Sequence, residues 1–335
     1  MSDPARLPHG GRLREAAAHY GIALENWLDL STGINPFPWP VPELPATCWQ
    51  RLPEDNDGLE AAAATYYGNA NLLPVAGSQA AIQWLPHLLP RAVVACLSPM
   101  YGEHPHAWQR AGHRLRHLPS GNLKRALTAV TPYVLFCNPN NPTADLQHRD
   151  SVIDTARQLQ KRGGWLIVDE AFIDATPEHS VTDLAGTDAA PNLIVLRSLG
   201  QFFGLAGLRV GFIFCAADLR AKLAQLIGPW SIAGPSRAAA QEALNDRAWQ
   251  TAARPRLQAA SARLHALLEP LGDVRSSPLF ATLNCAEHTQ IHEYLARQGI
   301  LTRLFSEHPL LRFGLPASEN DWLRLQTALA HWKPA

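Results

Sequence analysis

Four short polar clusters each follow an apolar run of strand length. Ser98, Pro99 and Tyr101 come after VVACL, residues 138–141 of NPNNPT after YVLFC, Asp169 and Glu170 after WLIV, and Ser198 after LIVLR. Carboxylates, amides and hydroxyls hold protons and orient polar ligands, and open α/β sheets bind ligands beyond the carboxyl ends of their strands. The four clusters therefore point to one pocket. A further segment, VAGSQAAIQWL, puts Gly77, Ser78 and Gln79 at the opening of a helix, where amide donors and a hydroxyl suit a phosphate. The common signatures of other sites are absent: no GxGxxG at a strand-to-helix turn, no GxxxxGKS or GxxxxGKT, no GxSxG, no HExxH and no CxxC. His104, His106, His113 and His117 have spacings a metal could use, but no cysteine or acidic ligand pattern lies beside them, so no metal is expected.

The elements that must position these groups are short β-branched runs, starting at Val93, Tyr133, Trp165, Leu193 and Val210, that alternate with amphipathic Ala/Leu/Arg segments. This alternation predicts a mainly parallel sheet covered on both faces. Residues 34–53 are dense in proline and predict an extended crossing, not a helix. After about residue 237 a long helical pattern is followed by SPLFATLNC, ILTRLF and LLRFGL, which predict a smaller α+β domain joined by the N-terminal segment. The expected division is an N-terminal arm at 1–40, a large domain at 41–237 and a small domain at 238–335. Amphipathic patterns at 146–162 and 254–268 are expected to be packing faces.

The chain has 335 residues, of which 47% are hydrophobic and 17% charged, too apolar for disorder and long enough for two domains. Basic and acidic residues number 29 each, so no net field draws nucleic acid or an anionic membrane. Only Lys124, Lys161, Lys222 and Lys333 are lysines. The five cysteines, odd in number and mostly within apolar runs, are expected to be buried reduced thiols. With no apolar stretch of signal or membrane-spanning length, the expected compartment is the cytoplasm.

In order, GSQAAI, SPMYGEH, NPNNPTA, VDEAFID and RSLGQFFGLAGLRVGF resemble the fold-type I pyridoxal-phosphate enzymes of the class I/II aminotransferase superfamily. Within it, HGGR at His9, DLSTGINP at Asp29, DEAFID and LRFGLP are similar to the threonine-phosphate decarboxylase branch of cobalamin assembly, whose nearest relatives are histidinol-phosphate aminotransferases. The resemblance spans about residues 9–316. It implies an α/β PLP-dependent transferase-like fold, pyridoxal 5'-phosphate as cofactor, and decarboxylation of L-threonine O-3-phosphate. Transamination or non-catalytic binding of cofactor or phosphoamino acid stays open as the alternative. A homodimer is also implied.

The resemblance carries roles residue by residue. Asp169 would hold the pyridine nitrogen protonated; the lesser alternative is a helix N-cap in DEAF, a role that Glu170 next door could fill as well. Asn141 would donate to the ring's phenolic oxygen and Tyr101 would stack on its face, where turn chemistry and sheet covering are the plainer readings. Gly77, Ser78, Gln79, Ser198 and Arg209 would grip the phosphate. Arg209 lies between two apolar stretches and is expected to be sheltered, in need of an anion. For the substrate, Arg312 matches the superfamily's carboxylate-binding arginine, and His9, Arg12 and Asn35 would close over the pocket, unless that arm is merely solvated.

Three positions depart from the pattern. Gln201 stands where the family has its Schiff-base lysine, and a primary amide cannot make that bond. Either a substituted form of an active enzyme or a relative that lost catalysis would look this way. Leu52 and Pro53 replace a segment whose tyrosine reaches the neighbouring subunit's phosphate, and Phe172 replaces a tyrosine that touches the ring oxygen.

Overall fold

The computed structural model describes residues 9–128 and 131–334. Its contacts divide the chain into Pro38–Ala253 and a second unit that joins the residues up to Phe37 to those from Arg254 onward. The sequence texture had put the divisions at 40/41 and 237/238. The second boundary falls instead inside the helix Arg247–Leu268, whose unbroken Ala/Arg/Leu pattern gives no signal of where its packing partners change.

In chain order the strands are β1 (Leu28–Asp29), β2 (Leu72–Val75), β3 (Val93–Ser98), β4 (Arg114–Pro119), β5 (Tyr133–Cys137), β6 (Trp165–Asp169), β7 (Leu193–Ser198), β8 (Gly211–Phe214), β9 (Asp273–Ser277), β10 (Phe280–Asn284), β11 (Ile300–Leu301), β12 (Arg303–Phe305) and β13 (Leu310–Gly314). Strands β2 to β8 form a seven-stranded sheet in the order β2-β8-β7-β6-β5-β3-β4. Only β8 runs against its neighbours. Strands β5 to β8 are buried almost throughout, which is why they read as continuous apolar runs. β4 was not among the predicted strands: as RLRHLP, mostly exposed at the sheet edge, it has no need of apolar alternation.

The proline-dense stretch is extended except for one helical turn, Thr47–Gln50, within TCWQ between the prolines. Helix Ser78–Leu88 follows β2, helix Glu103–Arg110 follows β3 and helix Arg149–Gln160 follows β5. The apolar faces of the first two, with Leu219 and Leu223 of helix Ala217–Ile227, and one face of the sheet make a core through Ile82, Leu85, Trp108, Leu135, Ile167, Leu196 and Ile213, while helix Arg149–Gln160 buries Val152, Ala156 and Leu159 outside that cluster. Cys96, Cys137 and Cys215 are buried, Cys48 and Cys285 half-buried, and all five are free.

In the second unit, β12-β13-β10-β9 form an antiparallel sheet, while β1 pairs in parallel with β11. Helix Leu13–Tyr20 packs Ala16 into a cluster with Trp27, Ala296 and Leu301, so the N-terminal segment is part of this unit's core. Ser318 and Asp321 close a capping box at the start of helix Glu319–His331. No helix among the described residues is long and apolar enough to cross a membrane.

Candidate functional site

In the large unit the carboxyl ends of β3, β5, β6 and β7 carry the four polar clusters. Register fixes their spacing: Cys137 pairs with Asp169 between β5 and β6, and Ser198 with Gly211 between β7 and β8. Asp169 is buried, and its Oδ2 accepts a 2.7 Å hydrogen bond from His104 Nε2, itself buried on helix Glu103–Arg110. Its Oδ1 accepts from Ala171 N–H at 3.0 Å, so the turn-capping role is filled by one oxygen and leaves the other to the histidine. The buried Cys137 thiol lies beside Asp169, and desolvation, with that carboxylate's charge adding, pushes it well above the usual thiol range. His104, Cys137 and Asp169 thus bring ligand-type atoms within 4.8 Å of one another, a grouping that the histidine spacing in sequence did not show.

Glu170 points into a different network. It accepts from Arg197 at 2.9 Å, Ser180 at 2.5 Å and Thr182 at 2.7 Å, while Arg197 also pairs with Asp174 and lies 4.6 Å over the Tyr67 ring. Neighbours on two strands thus divide their work: Asp169 and Ser198 belong to the polar clusters, Glu170 and Arg197 to buried ion pairs. His113 and His117 are engaged apart from His104, with Pro86 and Ala92 in the first case and Ser98 in the second.

At the helix start, Gly77 has φ +70°, a left-handed value that L side chains avoid, and a Cβ there would run into the Arg209 guanidinium. A Cβ on Gly211 would lie 2.5 Å from Ser78 N and 2.9 Å from Gly77 C. Three segments therefore meet at close quarters only because side chains are missing. Arg209 is exposed, not sheltered as its flanking sequence implied. A left-handed turn, φ 55°, carries it out of the apolar flow, and Nη1 donates to Ala206 O at 3.1 Å. The Gln79 side chain is taken up by Glu103, at 2.8 Å, and by the Tyr101 hydroxyl, at 3.3 Å, which leaves its backbone to face a ligand. Burial, with Glu103 and Asp169 nearby, raises the Tyr101 phenol to about 12, so it stays neutral. The NPNNPT loop is knit by Asn138 to Gln147 and by Asn140 to Pro99 and Thr143, and the half-buried Asn141 lies between Asn140 and Thr143 in the chain.

The second unit gathers the other candidates. Arg312 is buried in β13, donates to Ser31 O at 2.9 Å and lies 5.1 Å over the Phe280 ring. Ser31 Oγ in turn accepts from Gly11 N–H at 2.7 Å, which ties the HGGR segment of His9 and Arg12 to STGINP. Asn35 is buried, and its Oδ1 accepts from Phe37 N–H at 2.8 Å. Arg303 is the cross-strand partner of Arg312, a neighbour invisible in sequence because register sets it. Burial and then the charge of Arg303 push Arg312 down to about 9, with Asp29 opposing; burial and Arg12 lower Arg303. Arg12 pairs with Glu15 at 3.1 Å, so the positive charge gathered here is shared with that carboxylate and with Asp29.

The family description Aminotransferase class I and II matches residues 52–330. The chain belongs to that family. A threonine-phosphate decarboxylase from Pseudomonas aeruginosa is 50% identical over 98% of each chain. A histidinol-phosphate aminotransferase from Legionella pneumophila is 33% identical over 53% of this chain and 49% of its own. The fold is that of the histidinol-phosphate aminotransferase from Sinorhizobium meliloti solved with pyridoxal 5'-phosphate, at TM-score 0.82, 18% identity and 98% coverage of both chains.

For a class I and II aminotransferase fold the expected cofactor is a phosphorylated pyridine, and its fit can be judged on this chain's own atoms. The glycine-cleared start at Ser78, the buried Ser198 hydroxyl and Arg209 suit the phosphate, and the buried Asp169 suits the ring nitrogen. Covalent attachment does not fit. Gln201 follows β7 at the lysine's position, and Lys124, Lys161, Lys222 and Lys333 are all exposed elsewhere. Gln201 Oε1 is buried and accepts no hydrogen bond among the described residues.

Proposed function

We propose that the chain binds pyridoxal 5'-phosphate without a covalent anchor and is built to decarboxylate L-threonine O-3-phosphate to 1-amino-2-propanol O-2-phosphate. The observation that carries the reading is the buried Asp169–His104 pair at the sheet's ligand-binding edge, alongside the glycine-cleared helix start at Ser78. Similarity over nearly the whole chain to a threonine-phosphate decarboxylase, against half the chain for the histidinol-phosphate aminotransferase, favours decarboxylation over transamination.

When bound, the cofactor supplies an electron sink for the pair left as the Cα–carboxylate bond breaks. Asp169 would keep the ring nitrogen protonated, and His104 fixes the carboxylate's orientation and disperses its charge. Asn141 would donate its amide to the ring's phenolic oxygen, and neutral Tyr101 would cover the ring face. Arg12, Arg303 and Arg312 would supply cations for the substrate's carboxylate and phosphate, with His9 and Asn35 on the same segments. Carbon dioxide leaves and a proton must be added at Cα. A lysine could deliver that proton; the Gln201 amide has none to give near neutral pH, so turnover of this chain is slow.

Trp49, Leu52 and Trp230 are exposed on the large unit, which supports a homodimer covering them, with Leu52 giving an apolar contact where relatives use tyrosine. The free cysteines support a cytoplasmic setting. The test is carbon dioxide release from threonine phosphate and keto-acid-dependent amino transfer from histidinol phosphate, measured for the chain and for Gln201→Lys. Release by the lysine form supports the decarboxylase; amino transfer without release would move the assignment to the transaminase. Light scattering reads the dimer, and a stable monomer would remove it.

A further inference from the structure

We propose that His104, Cys137 and Asp169 form a site for a borderline-soft divalent cation, with zinc as the type case, and that the metal and the cofactor exclude one another. The metal site stands on the three side chains; the exclusion rests on the cofactor reading above. Register sets two of the ligands: Cys137 and Asp169 are paired residues at the ends of β5 and β6, so their side chains leave the sheet on one face. His104 reaches them from helix Glu103–Arg110, which follows the neighbouring β3. One ligand atom from each, an imidazole nitrogen, a thiol sulfur and a carboxylate oxygen, lies within 4.8 Å of the other two.

Three such donors are what zinc takes from a protein when its fourth position is left open. The charges also balance. A thiolate and a carboxylate neutralise a divalent cation and the imidazole is neutral, so a buried site of this composition carries no net charge to desolvate. Asp169 Oδ1 is held by Ala171 N–H, which orients the carboxylate and leaves Oδ2, on His104 Nε2, as the ligand oxygen. On binding, the cation displaces the Cys137 thiol proton to solvent and the His104 Nε2 proton to Nδ1. Desolvation holds the thiol protonated until then, while the backbone N–H groups of Tyr101 and Asn141 hydrogen-bond the sulfur and favour its thiolate once a cation is present. Cys137 and Asp169 each keep 5% of their surface exposed, against 1% for His104. An ion therefore enters at the strand ends, where the pyridine nitrogen would meet Asp169, and one carboxylate oxygen cannot serve both. With Gln201 in place of the lysine, the ion has only non-covalent cofactor contacts to displace.

The experiment is titration of the full, cofactor-free chain with Zn2+ and with Co2+, whose thiolate complexes absorb in the near ultraviolet. One equivalent of Co2+ should bind with that band, Zn2+ should erase it, and Mg2+ should leave it unchanged. Cys137→Ser should remove the band and weaken zinc by at least about a hundredfold, the upper end of what loss of even an outer-shell partner costs, while pyridoxal 5'-phosphate still binds. His104→Gln should weaken zinc likewise, which keeps the test decisive should the serine variant fold poorly. The zinc-loaded chain, freed of excess metal, should take up pyridoxal 5'-phosphate only as a chelator withdraws the zinc. Metal binding that survives both substitutions belongs to surface histidines and overturns the inference, as does a chain that binds no zinc. Cofactor that binds equally with and without zinc, while the Cys137-dependent band is present, overturns the exclusion by taking the ring nitrogen away from Asp169, a failure of the cofactor reading that leaves the metal site standing.

Discussion

His104 Nε2 lies 2.7 Å from Asp169 Oδ2, with both side chains buried. In the Gln201→Lys background, Asp169→Asn should cut decarboxylation by about two powers of ten or more, because an amide can hydrogen-bond a ring nitrogen but not balance its charge. His104→Ala should cost less, about tenfold, by freeing the carboxylate to turn. Single-turnover rates on cofactor-loaded protein decide it. An undiminished Asp169→Asn rate would reduce Asp169 to the cap of Ala171.

Gln201→Lys should raise carbon dioxide release by about three powers of ten, roughly 4 kcal/mol in the barrier, since the rest of the cofactor set is already in place. Borohydride should then trap a lysyl adduct at residue 201, read by peptide mass. No adduct there would show that the position is not directed at the cofactor.

Arg312 gives a pH prediction. Burial and Arg303 hold its folded value near 9, below the usual guanidinium value of 12.5, so between those two pH values the unfolded chain carries more protons and stability rises with pH. An anion bound beside Arg312 draws the proton back. Near pH 9 and above, threonine phosphate should therefore bind with net proton uptake at Arg312, and its affinity should fall as pH climbs past about 9. Calorimetry in buffers of different ionisation enthalpy measures the uptake, and Arg312→Gln should abolish it while weakening binding about thirtyfold or more. Affinity flat to pH 10.5 in the unaltered chain would disconnect Arg312 from the ligand.

Arg197→Met should destabilise the large unit by about 3 to 5 kcal/mol, because Glu170 and Asp174 would be left buried without their cation. Urea unfolding followed by fluorescence gives the value. A double change that also replaces Glu170 and Asp174 with apolar residues of similar size should recover most of the loss, and no recovery would mean that packing over Tyr67 matters more than charge.

Gly77→Ala would place a methyl group against Arg209 at a left-handed φ, with a backbone penalty of about 1 to 2 kcal/mol. Inorganic phosphate and cofactor affinities should both drop by more than the stability loss accounts for. Unchanged phosphate binding would place the phosphate elsewhere.

What could be read without coordinates follows from where the information lies. β3, β5, β6 and β7 were legible because strands buried on both faces must be apolar along their whole length, and Asp169 because a carboxylate that ends such a run stands out. His104 looked like one of four scattered histidines, since its bond to Asp169 joins positions 65 apart in the chain. Arg303 was missed altogether: only the β12–β13 register sets it across from Arg312. The exposure of Arg209 escaped because a single left-handed residue reverses what its apolar flanks suggest. Gln201 was visible only as a missing lysine, and the burial of its side-chain oxygen was not.

β1 adds one consequence for biogenesis. Leu28 and Asp29 find their partners in Ile300 and Leu301, and Arg312 its acceptor in Ser31, so one unit is assembled from segments that lie on either side of the whole other unit in the sequence. On a ribosome adding about 5 to 20 residues per second, the early segment waits for tens of seconds with its apolar side, Leu13, Ala16, Tyr20 and Trp27, uncovered. The sheet of the other unit is complete in sequence by Phe214 and has what it needs to form first. Residues 13–27 are thus a natural client for a nascent-chain chaperone until Ile300 and Leu301 have been made.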